Sequence, residues 1–275
     1  MKNKKFCAII LNRNLPKVTD KLYSNLKNNN KDLDIFVVDS GSEEKKLSKY
    51  STWHANWKDA KKNGLRYLRG MNYALSKLEK EKKLQNYFAY ILLANDIEFK
   101  NYKIIPKLKR IFDKHPKIGI LSPCSKQWGE YKLLNKNSTK YFWYIFNNAF
   151  IVTTKFINII KDKTPPGYIN FLFDGKNFRG YGAESELILK AYSNDFCAAI
   201  TSEIIAEENQ NYLLNSYEEI KTDNYDINLK KYVSEGKLWM KRKYGFSNKW
   251  SMNMTVKLFY DKFFQYYPEL IRFKI

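Results

Sequence analysis

The stretch YFAYILLANDIEFKN, residues 87–101, begins as an unbroken apolar run and ends on Asp96 and Glu98. Ile91, Leu92 and Leu93, preceded by aromatics, read as a strand covered on both faces, the kind found in the parallel sheets of α/β proteins. Ligands of such sheets collect outside the carboxyl ends of the strands. Two acids at this tip are therefore either the start of a solvated loop or members of a site, and the rest of the chain has to separate the two.

Upstream, 6–11 (FCAIIL) and 34–40 (DIFVVDS) read as strands and 18–29 as a helix. Residues 69–83 read as a second helix, with Met71, Ala74, Leu75 and Leu78 on one face. Downstream, 102–115 reads as a helix or a pair of turns broken at Pro106, and 118–123 as a fourth strand. Strands separated by helical segments predict βαβ units, hence an α/β fold with a mostly parallel central sheet flanked by helices. Right-handed crossovers then put the ends of the first three strands at one edge. Beyond Pro123 a strand-like aromatic run leads into a helix from Thr154. A Gly-, Pro- and aromatic-rich loop over 165–182 has the character of a substrate lid, and a helix (183–195) and a strand (196–206) follow it. With no internal repeat or low-complexity linker, the partition is an α/β domain over 1–210 and a basic, aromatic, helical appendage over 211–275.

A chain of 275 residues with 44% hydrophobic and 16% aromatic side chains can bury a substantial core. No apolar run approaches the ~18–20 residues that cross a bilayer. The basic start MKNKK and the short run Phe6 to Leu11 do not make a secretory signal, so a cytoplasmic location is expected. Cys7, Cys124 and Cys197 are odd in number and lack metal-type spacing, which argues against a disulfide framework or a zinc site. The excess of 49 Lys and Arg over 28 Asp and Glu, a net +21, points to an anionic partner or to a Lys-rich composition spread over solvated faces.

Three pieces stand in order: IFVVDSGS (35–42), YILLANDIEF (90–99) and YGAESELILKAY (181–192), with NGLRYLRGMNYAL (63–75) between the first two. Over residues 5–210 this series resembles the GT-A (Rossmann-like) glycosyltransferases of the inverting family 2 type. The resemblance implies a nucleotide-sugar donor, a UDP-sugar favoured, and a glycan or lipid-linked acceptor, in bacterial surface polysaccharide synthesis. It implies Mn²⁺ or Mg²⁺, because a diphosphate leaving group gathers negative charge that a hard cation on carboxylate oxygens can neutralise. Asp96 matches the final acid of the family's Asp-x-Asp motif and is assigned to the metal. The first position is Ala94, a departure that leaves one carboxylate in the motif. Glu98, and Glu207 or Glu208 in place of a later family histidine, are the further candidate ligands. Asp39 is implied in nucleobase or ribose recognition, with Ser40 beside it. Asn12, Arg13, Arg66, Arg69, Asn72 and Asn95 border the expected donor position. Glu184 matches the family's catalytic base and Glu186 the next acid, both at a helix start where the dipole favours an ionised carboxylate. Asp174 precedes them and reads as structural.

From Lys231 to the end, ten basic residues face three acids, with aromatics interleaved. A helix carrying Leu258, Phe259, Lys262, Phe263, Tyr266 and Tyr267 on one face would suit either an anionic membrane surface or packing against the domain or another subunit. Two other classes compete with the glycosyltransferase. A nucleotidyltransferase shares the carboxylates but needs a glycine-rich start, where this chain has LNRNLPK. A nucleic-acid-binding protein would explain charge and aromatics but not acids at three predicted element ends, so no nucleic-acid partner is expected.

Overall fold

The computed structural model describes residues 5–146, 149–209 and 211–275. The basic residues 1–4, weighed above as part of a signal, lie outside the described residues. The first half alternates as expected: β1 (Phe6–Asn12), α1 (Pro16–Asn29), β2 (Asp34–Asp39), β3 (Ser51–His54), α2 (Lys58–Asn63), α3 (Arg66–Lys80), β4 (Ala89–Ala94), β5 (Ile97–Phe99), α4 (Ile105–Lys114) and β6 (Ile118–Cys124). There follow β7 (Thr139–Tyr141), β8 (Ala149–Thr153), α5 (Thr154–Ile160), α6 (Ala183–Tyr192), β9 (Cys197–Glu208), α7 (Asn211–Asn215), α8 (Tyr225–Tyr244) and α9 (Lys249–Tyr266).

The strands form one curled sheet in the order β3-β2-β1-β4-β8-β6-β9-β5, with β7 pairing β9. β1 runs parallel to both β2 and β4, and β2 to β3. The carboxyl ends of β1, β2 and β4 therefore meet at one edge: Asn12 lies opposite Asp39, and Leu11 opposite Ala94. β8 is antiparallel to β4 and β6, and β5 and β7 are antiparallel to β9, so the sheet is mixed though mostly parallel. β6 and β8 are buried along their whole length, as strands covered on both faces must be. α3 buries Leu68, Met71, Ala74, Leu75 and Leu78, a stripe at helical spacing. Pro106 does not break α4: it sits in the first turn, where its missing N–H has no intrahelical partner to lose.

In the appendage, α7, α8 and α9 account for most of 211–275. Asn224 and Asn248 cap α8 and α9 with their side chains, and Gly245 (φ +76°) closes α8 in the left-handed region. α9 packs along α6, where Tyr260 meets Tyr192 at 5.3 Å and Val256, Phe263 and Phe264 join the main core. The face expected to meet a membrane is thus divided: Phe263 is buried, while Leu258 and Tyr266 are exposed.

The 165–182 loop is fastened rather than lid-like. Buried Asn72 on α3 donates to the Phe173 carbonyl (2.8 Å) and accepts from the backbone N–H of Leu172 (3.0 Å) and Phe173 (2.9 Å). Arg69 Nε donates to the Gly175 carbonyl (2.7 Å), and Phe171, Leu172 and Phe173 belong to the core. Asn72→Ala is expected to cost about 2–4 kcal/mol, since it strands buried backbone groups. A denaturant midpoint for the variant within error of the parent would disprove that role.

Candidate active site

A cleft of about 240 Å³ lies at the carboxyl edge of β1, β2 and β4. This is where the crevice of an open α/β sheet is expected. Leu11, Arg13, Ser40, Asn95 and Asp96 line it from the strand ends, and Arg66 and Tyr67 from the start of α3. Its outer wall is Tyr212 with Ile220, Lys221 and Thr222, residues beyond position 210. Arg13 Nε donates to the Ile220 carbonyl (2.8 Å), and Asn14 Nδ2 to the Glu219 carbonyl (2.8 Å). Those bonds hold the wall against the sheet.

Two carboxylates share this cleft without a cationic partner among the described residues. Asp96 follows β4 and Glu208 ends β9. Asp96 Oδ1 is buried and accepts no hydrogen bond. Burial first, and then the charge of Glu208, push the Asp96 carboxyl up to about 7. Burial raises the Glu208 carboxyl as well. Glu207, its neighbour, points to the opposite face, as strand geometry demands. It accepts from Ser125 Oγ and from the Lys126 N–H (2.8 Å). Glu98 is exposed and takes a hydrogen bond from Asn209 Nδ2 (3.3 Å). Of the acids expected to bind metal, the structure brings Asp96 to the cleft and turns Glu98 and Glu207 away, while Glu208 stands with Asp96. No group of three or more acidic, His or Cys side chains suited to a metal ion forms among the described residues. The cleft offers two protein carboxylates, one of them, Asp96, with an unpartnered buried oxygen. Two hard donors of that kind fit a divalent cation whose remaining ligands come from phosphate and water.

Arg66 lines the cleft and has no ion pair among the described residues. It donates to Thr222 Oγ1 (2.6 Å) and lies over the Phe178 ring at 5.6 Å. Burial, then the neighbouring Arg179 and Arg13, lower its pKa to about 10. A guanidinium held among other cations is a ready partner for an anion. Arg13 is differently engaged: NH1 donates to the carbonyls of Ser40 and Ala60 (3.0 Å), tying β1 to the end of α2. Gly41 (φ +81°) makes that approach feasible, since a Cβ there would lie 2.1 Å from the Ala60 oxygen.

Asp39 is fully buried and does not line the cleft. Its carboxylate accepts from Asn12 Nδ2 (2.8 Å) and the Ser42 N–H (2.7 Å), with His54 Nε2 3.6 Å away. Asn12 in turn accepts from Thr19 Oγ1 (2.8 Å), to which Asn95 Nδ2 also donates (3.0 Å). Asp39 and Asn12 thus fix the shape of the floor, and Ser40 and Asn95 present themselves to the cleft.

Glu184 and Glu186 occupy the first turn of α6, after Gly182 (φ +81°). Glu186 is buried and held by Lys243 (2.8 Å), Tyr244 OH (2.6 Å) and Lys190 (3.3 Å), and so is spent on anchoring α8. Glu184 Oε1 pairs with Lys249 at the start of α9, and Oε2 has no protein donor among the described residues. Burial lowers the Lys249 pKa, but the adjacent Glu184 more than offsets it and the net shift is upward. Neither Glu184 nor Glu186 is among the residues lining the cleft, and Tyr232 is half-buried near Glu184. Its hydroxyl pKa is raised by burial, then by Glu184, by Tyr181 and Tyr144, and by Glu208. Asp174 accepts from Trp239 Nε1 (3.0 Å) and Lys243 (2.8 Å), a structural fastening.

No protein-family model matches the chain, and no curated protein matches it. Among solved structures it is similar to the mannosyltransferase PcManGT from Pyrobaculum calidifontis in complex with GDP-Man and Mn²⁺ (TM-score 0.46, 10% identity, 94% of this chain and 74% of that one). It is also similar to S. aureus TarS (TM-score 0.43, 13% identity, 86% and 42%). A third is a glycosyltransferase involved in glycosylation of the major capsid of PBCV-1 (TM-score 0.31, 12% identity, 71% and 93%).

Proposed function

We propose that the protein is an inverting glycosyltransferase that takes a sugar from a nucleoside-diphosphate sugar, a UDP-sugar favoured, and places it on a hydroxyl of a surface glycan or a lipid-linked acceptor. One observation carries the reading: a buried, unpartnered Asp96 oxygen shares a cleft with Glu208 and the ion-pair-free Arg66, at the strand edge where such ligands bind. Asp96 and Glu208 would hold Mn²⁺ or Mg²⁺, which when bound supplies positive charge to the leaving diphosphate. Arg66 adds a fixed cation from the α3 side. The acceptor oxygen attacks the anomeric carbon as the bond from that carbon to the diphosphate oxygen breaks on the opposite face. The acceptor's proton passes to Glu184 Oε2, and the ammonium of Lys249 on Oε1 keeps the carboxylate in place.

Metal binding needs ionised carboxylates, and the Asp96 carboxyl ionises near 7. Thermal stabilisation by UDP with Mn²⁺ is therefore expected to grow as pH rises from about 6 to 8 and to vanish with chelator. Stabilisation by single-stranded nucleic acid alone would end the transferase reading.

A further inference from the structure

Leu133 and Ile159 aside, every large apolar side chain that is well exposed among the described residues lies beyond residue 213. On α9 three of them fall four residues apart: Trp250 (69% exposed), Met254 (38%) and Leu258 (53%). This stripe faces away from Met252, Val256, Tyr260 and Phe263, which dock the helix. Lys262 extends it by one turn and has no ion pair among the described residues. The link between α8 and α9, 245–248, is four residues long and spans at most ~14 Å. It keeps the last two turns of α8 close by, where Leu238 is 66% exposed and Lys241 and Arg242 are likewise without ion pairs. No described helix is long and apolar enough to cross a membrane.

We propose that this helical hairpin seats the protein on an anionic phospholipid surface. Trp250, Met254 and Leu258 enter the headgroup layer, and Lys241, Arg242 and Lys262 meet its phosphates. Charge selects the occupant. A second copy of a chain carrying +21 would bring like charge to like, whereas an anionic bilayer complements it. Nucleic acid would satisfy the cations but leave the stripe in water. The seat also bears on the acceptor, an extension that rests on the transferase reading. Lys249, which pairs with Glu184, immediately precedes Trp250, so docking sets the proton acceptor beside the bilayer surface. That position suits a lipid-linked acceptor.

The test is co-sedimentation of the full chain with vesicles of phosphatidylcholine alone, and of three parts phosphatidylcholine to one of phosphatidylglycerol. Partition is expected only to the anionic vesicles and is lost in high salt. Trp250→Ser with Leu258→Ser should weaken it roughly tenfold or more, without changing the thermal melt. Lys241→Gln with Arg242→Gln should weaken it by roughly fivefold per cation at low salt. Absence of partition, or partition indifferent to the Trp250 and Leu258 changes, overturns the proposal. A concentration-dependent dimer undone by those changes, without vesicle binding, assigns the stripe to a second copy and overturns it too. Vesicle binding requires neither nucleotide nor metal, so it stands or falls apart from the response to UDP and Mn²⁺.

Discussion

Asp96→Asn is expected to lower donor turnover by about 10²–10³-fold while making the metal-free protein more stable at pH 8. The first effect follows from replacing an anionic oxygen at the point where diphosphate charge must be balanced. The second follows from linkage. The Asp96 carboxyl titrates near 7 in the folded protein, well above its usual range, because burial and Glu208 disfavour its ionised form. The folded state therefore holds the proton more tightly than the unfolded chain. The associated stability is complete below the unfolded carboxylate pKa of about 4 and is lost as pH rises through about 7. A neutral amide of the same shape removes that repulsion and returns about 1 kcal/mol, or 2–4 °C in Tm, at pH 8. Melting curves at pH 5 and 8, with and without Mn²⁺, separate the outcomes. The gain should be largest at pH 8 and clearly smaller at pH 5. A variant less stable at pH 8 and fully active would show that Asp96 is a structural acid.

Glu184→Gln is expected to reduce kcat by about 10²–10⁴-fold and leave the affinity for UDP with Mn²⁺ within about twofold. The amide keeps the shape but cannot accept a proton. Because Lys249 loses its partner, the single variant should also lose about 1–3 kcal/mol of stability. The companion Glu184→Gln with Lys249→Gln settles what that loss means. It should recover stability without recovering turnover, which a purely structural ion pair would not show. Normal turnover in either variant would remove Glu184 from the chemistry.

Local pattern carried much of the fold. Apolar runs at 6–11 and 89–94, and the short segment 118–124, read as strands buried on both faces, and the α3 stripe is readable from 3.6-residue spacing. The meeting of the first strand ends at one edge follows from chain chirality, and so Ser40, Asn95 and Asp96 could be placed near one another from sequence. The antiparallel insertion of β8 was not legible, because a strand's direction is set by which edge is open when it arrives. The helical character of the C-terminal segment was legible, but which faces of α8 and α9 are buried was not. Their burial depends on α6 and on the 165–182 loop, which are distant in sequence.

What the sequence by itself determined was which residue types stand at the tips of the strands: acids after β2, β4 and β9, and basic side chains opening α3. What the tertiary structure alone decided was how each is used. Glu207 and Glu208 are chemically identical neighbours, and the pairing of β9 with β5 and β6 sends one to Ser125 and the other to Asp96. Asp39, Arg13 and Asn72 match expected ligand positions, yet Asp39 spends its carboxylate on the Ser42 N–H and the Asn12 side chain, and Arg13 and Asn72 bond to backbone from 207 and 101 residues away. A side chain's type is local information. Its partner is fixed only when strand register and helix docking settle which distant atoms share its surroundings, since a buried polar group bonds to whatever the packed chain places within about 3 Å.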